Sequence, residues 1–104
     1  MRKLKNNELN RLQIEDFKKQ KKTPIVIILD NVRSAHNVGS IFRTSDAFLI
    51  EKIYLCGITP QPPQKEIRKT ALGASKSVEW QHLANIEDCI DQVKKDGYSV
   101  FCVE

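Results

Sequence analysis

The sequence predicts an α/β domain with a parallel sheet, Rossmann-like and three-layered, and three observations predict it. A purely β-branched run, Ile25-Val26-Ile27-Ile28, reads as a strand covered on both faces. Short apolar runs then alternate with helix-period segments along the chain. The spacing between those runs demands crossover helices, which are right-handed when they join parallel strands. At 104 residues the chain holds one hydrophobic core.

Each element has its local cause. Leu4, Leu9, Leu12 and Phe17 give a weak helical stripe, ended by the lysines at 18–22 and by Pro24. Residues 25–29 form the first strand. A helix follows over 37–48, with Asn37 or Ser34 as its cap. Residues 52–56 form the second strand, closed by Gly57, and the prolines at 60, 62 and 63 make a loop. A short helix spans 65–72, with Pro63 near its start and Gly73 just past its end. Residues 75–77 lead into a third strand over 78–83.

The next helix is the clearest. Asn85 caps it, Glu87 and Asp88 sit in its first turn, and Ile86, Cys89, Ile90 and Val93 make its apolar face. Lys94 and Lys95 close it before Gly97. Residues 99–103 read as a fourth strand. Because nothing follows that strand, the chain is expected to be the first part of a longer protein.

Composition narrows the classes. Charged residues make up 29% of the chain and no apolar run is long enough to cross a bilayer, so no membrane partner is expected. The basic N-terminus lacks the apolar stretch of a signal peptide, which points to the cytoplasm. Cys56, Cys89 and Cys102 are an odd number without close pairing and read as buried free thiols. Neither histidine has a partner at metal-ligand spacing.

The net charge is +4, but residues 1–22 hold eight basic groups against three acidic ones, 8 − 3 = +5. The boundary therefore falls between a basic arm, 1–22, and a near-neutral body, 23–104. Such an arm suits a phosphate-rich partner.

The polar cluster at the exit of the first strand carries the functional signal. Buried-strand exits are where ligands sit in open α/β sheets. On a helical wheel from Asn37, the residues Val38, Ile41, Phe42, Ser45 and Leu49 face the sheet. Arg43 points away, on the side of Ser40, Ala47 and His36. It is either a surface arginine paired with Asp46 or Asp30, or a guanidinium offered to a ligand. The small residues Gly39, Ser40 and Ala47 leave room for a ligand or another backbone to approach. Dinucleotide, Walker and nucleophile-elbow motifs are absent.

The run from Leu29 to Phe48, Leu-Asp-Asn-Val-Arg-Ser-Ala-His-Asn-Val-Gly-Ser-Ile-Phe-Arg-Thr-Ser-Asp-Ala-Phe, resembles the first motif of the SpoU/TrmH-type RNA ribose 2′-O-methyltransferases of the SPOUT superfamily. Lys69-Thr70-Ala71-Leu72-Gly73-Ala74-Ser75 resembles the segment before that family's third strand. Leu49 departs from the pattern, since many members carry glycine there.

The resemblance implies the N-terminal part of an α/β-knot methyltransferase, with the C-terminal knot and its two S-adenosylmethionine motifs missing. It therefore implies an S-adenosylmethionine-dependent enzyme whose cofactor this piece alone does not bind. It implies RNA, tRNA or rRNA, as partner, and a homodimer for the full-length protein. Arg43 takes the place of the arginine that activates the ribose hydroxyl, and Asn37 that of a supporting asparagine. Arg33 and His36 lie where RNA backbone contacts are expected. The charge pattern adds Lys21, Lys22, Arg68, Lys69 and Lys76 to the RNA-binding set.

Two rivals stand beside this. A non-catalytic α/β RNA-binding module is the alternative function. A receiver-type signalling domain fits poorly, because the third strand ends Gln81-His82-Leu83 without an acidic cluster and no lysine follows the fourth.

Overall fold

A computed structural model describes residues 22–103. The N-terminal stripe, Lys21 and most of the basic arm lie outside the described residues. The elements in order are β1 (Thr23–Asp30), α1 (Ala35–Ala47), β2 (Ile50–Cys56), α2 (Lys65–Ala71), α3 (Ala74–Ser77), β3 (Trp80–Leu83) and α4 (Ile86–Lys95). Among the described residues the strands form one parallel sheet in the order β1-β2-β3.

Alternation along β2 divides the core into two. Ile53 and Leu55 point to one face, where Leu29, Val38, Phe42, Ile67, Ala71, Ala74 and Val78 join them. Tyr54 and Cys56 point to the other, against Cys89 and Val93 of α4. So α1, α2 and α3 cover one face and α4 the other, the three layers expected of crossover connections.

β1 is covered on both faces, with Ile27 and Leu29 on one cluster and Val26 and Ile28 on the other, but β2 is the more deeply buried strand. Ile53, Tyr54, Leu55 and Cys56 are all buried, whereas β1 is paired on one side only among the described residues and leaves Ile25 50% exposed. Hydrophobic composition alone does not distinguish a central strand from an edge strand, since pairing decides it. Pro24 suits the edge position, because it has no amide to donate to a ladder.

The expected fourth strand does not form. Residues 99–103 are irregular, with Phe101 86% and Val103 96% exposed. Tyr98 and Val100 pack against the same cluster as Val26 and Ile28, but the segment makes no ladder with β1, and without a ladder β-prone residues stay coil. Cys102 is consequently exposed, unlike the buried Cys56 and Cys89. Residues 75–77, expected to lead straight into a strand over 78–83, belong instead to the short helix α3, and β3 begins at Trp80.

Two backbone features set the helical layer. Gly39 faces α2 so closely that a Cβ there would collide with the Thr70 side chain and lie 2.8 Å from the Ile67 carbonyl. The room left by Gly39 is thus taken by another backbone, not by a ligand. Leu49, just past α1, is left-handed at φ 56, a conformation glycine adopts freely and leucine at a cost of about 1–2 kcal/mol. Below it, Thr23 donates its amide to the Leu49 carbonyl and its hydroxyl to the Phe48 carbonyl, both at 2.8 Å, and so ties the end of α1 to the start of β1.

Gly39→Ala should destabilise the fold by about 1–3 kcal/mol through overpacking, despite alanine's better helix propensity. A urea unfolding midpoint at or above wild type would contradict the close α1–α2 approach. Burial pushes the Cys56 thiol up, and burial together with the Cys56 hydrogen bond pushes Cys89 from 9.0 up to about 12. The unfolded chain then releases a proton that the folded chain keeps, so stability should be intact below pH 9 and fall as pH rises toward 12. Chemical unfolding at stepped alkaline pH measures this, and a Cys89→Ser variant should flatten the decline.

Candidate functional site

Parallel strands bring their carboxyl ends to one rim. There, the backbone of Asn31 is left-handed at φ 53. Its amide donates to the Cys56 carbonyl at 3.1 Å, and its Oδ1 accepts from the Ile58 amide at 3.0 Å. Gly57 permits this approach, since a Cβ there would strike the Asn31 side chain.

Thr59 is 2% exposed. Its Oγ1 accepts from the Val32 amide at 3.0 Å. Its single hydrogen lies between the Cys56 carbonyl at 2.7 Å and the Leu29 carbonyl at 3.1 Å. His82 Nε2 donates to the Gly57 carbonyl at 2.9 Å, and the Gly57 amide donates to the Leu83 carbonyl at 3.0 Å. The exits of β1, β2 and β3 are therefore one bonded unit.

On this rim α1 begins. Ser34 is its cap, accepting from the Asn37 amide at 3.1 Å. The side chain of Asn37 is thereby left uncommitted, and it is exposed. Arg33 and His36 are exposed beside it.

Arg43 is exposed and makes no hydrogen bond or ion pair with any other described residue. The pairing with Asp46 or Asp30 does not occur. Eight residues separate Arg43 from Ala35, so its Cα lies about 12 Å down the helix from the rim. Helical side chains lean toward the N-terminus, which directs the guanidinium back up the helix. His36 and Arg43 are seven residues apart and share one stripe of α1.

Arg68 and Lys69 are exposed on α2, which crosses α1 at Gly39, and Lys76 is exposed on α3 in the same layer. The structure thus gathers Arg33, His36, Asn37, Arg43, Arg68, Lys69 and Lys76 on one side of the sheet. Lys22 is apart from them: it precedes β1 at the amino end of the strand, half-buried and engaged in an interaction. Lys21 lies outside the described residues.

Asn31, Thr59 and His82 are the site's supports that sequence reasoning missed. Their signal was faint, being a polar residue just after β1, one in the loop after β2 and one inside β3, and it becomes meaningful only once the strand register is known.

The opposite face carries a cleft of ≈380 Å³ between Lys52, Tyr54 and Gln81 of the sheet and Asp88 and Gln92 of α4 with its C-cap Asp96. Its charged groups are largely engaged. The Lys52 ammonium donates to Gln81 Oε1 at 3.0 Å and stands 4.7 Å from the Tyr54 ring centre, while Gln92 donates to Asp96. Among the described residues no cluster of His, Cys, Asp or Glu is arranged to hold a metal. No described helix is long and apolar enough to cross a membrane.

The family model described as the SpoU rRNA Methylase family matches residues 24–104. The chain belongs to that family. Among curated relatives it is 31% identical over 85 residues to the 23S rRNA (guanosine-2′-O-)-methyltransferase RlmB of Coxiella burnetii, covering 76% of this chain and 32% of the relative. It is 30% identical over 87 residues to a putative TrmH family tRNA/rRNA methyltransferase of Staphylococcus haemolyticus, covering 84% and 35%. An uncharacterized tRNA/rRNA methyltransferase of Borreliella burgdorferi is 26% identical over 105 residues, covering 95% and 46%.

A solved structure of the A. aeolicus TrmH/SpoU tRNA modifying enzyme superposes with a TM-score of 0.66 at 24% identity, over 86% of this chain and 45% of that one. That likeness concerns the fold. The chain spans about a third to just under half the length of these SpoU-family relatives.

Ser34→Ala should cost about 1 kcal/mol of stability through the lost cap. Asn37→Ala should stay within about 0.5 kcal/mol of wild type. Equal losses in thermal unfolding would contradict the assignment of the cap to Ser34 alone.

Proposed function

We propose that this chain belongs to an enzyme that methylates the ribose 2′-hydroxyl of a tRNA or rRNA, and that the exposed side of α1 grips the RNA. One observation carries the proposal: Arg43 stands exposed on α1 with no partner among the described residues. An arginine that contributes only to the fold usually spends its charge on a carboxylate, and two were within sequence reach.

The chemistry follows from what the guanidinium offers. Arginine stays protonated, so it does not act as the base. It grips the phosphate beside the target ribose with two parallel hydrogen bonds and stabilises alkoxide character as it develops on the 2′-oxygen. Phosphate or water accepts the proton. Asn37, not spent on capping, orients the same sugar-phosphate unit. Arg33, His36, Arg68, Lys69 and Lys76 hold flanking phosphates, so recognition runs through position and shape.

S-adenosylmethionine is the methyl donor that the resemblance implies. The described residues do not fit it. Such a ligand wants an enclosed, mostly apolar pocket with a few convergent polar groups. The ≈380 Å³ cleft is polar, and its lysine is already held by Gln81. Donor binding is assigned to a part of the protein outside the described residues, and dimerisation and a cytoplasmic site of action belong to the same proposal.

Transfer of labelled methyl groups to RNA by the full-length protein tests this. Arg43→Ala should lower turnover by about 10²–10³-fold, the scale of losing one preorganised charge donor, with the melting temperature unchanged. Near-normal turnover would remove Arg43 from the mechanism. RNA affinity should weaken steeply from low to moderate salt. Salt-insensitive binding would contradict recognition through phosphates.

A further inference from the structure

We propose that Thr59 is a positioning residue for RNA contact: its buried hydroxyl fixes the loop that carries Arg33 and launches the helix that carries His36 and Asn37. The inference rests on the assignment of α1 as the RNA-contacting surface.

Residues 31–34 join β1 to α1, and Arg33 within them is exposed. The backbone of this loop is held at few points. The Asn31 amide reaches the Cys56 carbonyl, the Asn31 side chain receives the Ile58 amide, and the Val32 amide reaches Thr59 Oγ1. The Thr59 bond is the last tie before Ser34 caps α1. It therefore sets where the first turn of α1 starts, and with it the direction in which Arg33, His36 and Asn37 present themselves.

Removing the hydroxyl affects its partners unequally. The Cys56 carbonyl keeps the Asn31 amide as donor. The Val32 amide, in a part-buried place, loses its acceptor. A part-buried amide without a partner is costly, and it recovers by turning toward water. The loop then samples several positions, and each RNA-binding event must order it again before Arg33 and His36 meet phosphate. The cost appears in binding. Valine nearly matches threonine in shape, so Thr59→Val removes the hydroxyl and little else.

The test uses the chain with Thr59→Val, Thr59→Ser and Arg43→Ala, a mixed tRNA and rRNA pool as probe, and two readouts taken well below the unfolding midpoint. These are RNA affinity at fixed low salt and hydrogen exchange at the Val32 amide. In wild type the Val32 amide should be protected. In Thr59→Val it should exchange about tenfold faster, the factor carried by one lost hydrogen bond, and RNA affinity should fall about fivefold as preorganisation is lost. Thr59→Ser should restore both.

Unchanged affinity in Thr59→Val, alongside weakened binding in Arg43→Ala, would overturn the role of Thr59 and leave the surface assignment standing. Unchanged affinity in Arg43→Ala would overturn the surface assignment itself. If Thr59→Val does not fold, rapid exchange of the Val32 amide in wild type, or lost affinity in Thr59→Ser, would overturn the inference.

Discussion

The burial of β2 on both faces is the constraint from which the rest of this molecule follows. A central strand with Ile53 and Leu55 on one side and Tyr54 and Cys56 on the other needs a helical layer against each face. Parallel neighbours on both edges then require crossovers, and crossovers deliver every strand exit to one rim. The polar residues at that rim are held close by the same pairing. Asn31, Gly57, Thr59 and His82 can lock together only because β1, β2 and β3 end level with one another, Asp30 opposite Cys56 and Cys56 opposite Leu83.

This locked rim and the open stripe on α1 divide the labour. The rim spends its polar groups on one another and becomes rigid. The helix leaves Arg43 and the Asn37 side chain uncommitted among the described residues. α1 is anchored at both ends, by Ser34 and Thr59 above and by the Thr23 bonds to Phe48 and Leu49 below. Gly39 lets α2 lie against its flank and brings Arg68 and Lys69 into the same layer. A preorganised helix with unspent cationic groups suits recognition of a phosphate backbone by position and shape.

Much of this architecture was legible in the sequence, and the parts that were not share a cause. Asn85 and Gly97 mark the ends of α4 because each is a local backbone device that acts wherever it stands. Asn37 and Ser34 are both competent caps, and only the three-dimensional path chose Ser34. The apolar run of β1 has the composition of a central strand, yet its place at the edge is a property of pairing. Residues 99–103 have strand composition without a strand partner. Gly39 announced a close approach but not that α2 would make it. Thr59 looked like part of a proline loop, and its buried hydroxyl emerges only when Leu29, Val32 and Cys56 converge on it.

The family motif carried the functional signal because its residues keep their order. The helical wheel placed Arg43 off the buried side of its helix, where the structure has it. The residue lies two turns along α1 from the rim. The most direct measurement of the central claim, that RNA engages this stripe, is an NMR titration of the chain with tRNA and rRNA transcripts. The account predicts shift changes that converge on Arg33, His36, Asn37 and Arg43, with α4 undisturbed. Changes centred on α4 and the cleft beside Lys52, with α1 unmoved, would contradict it.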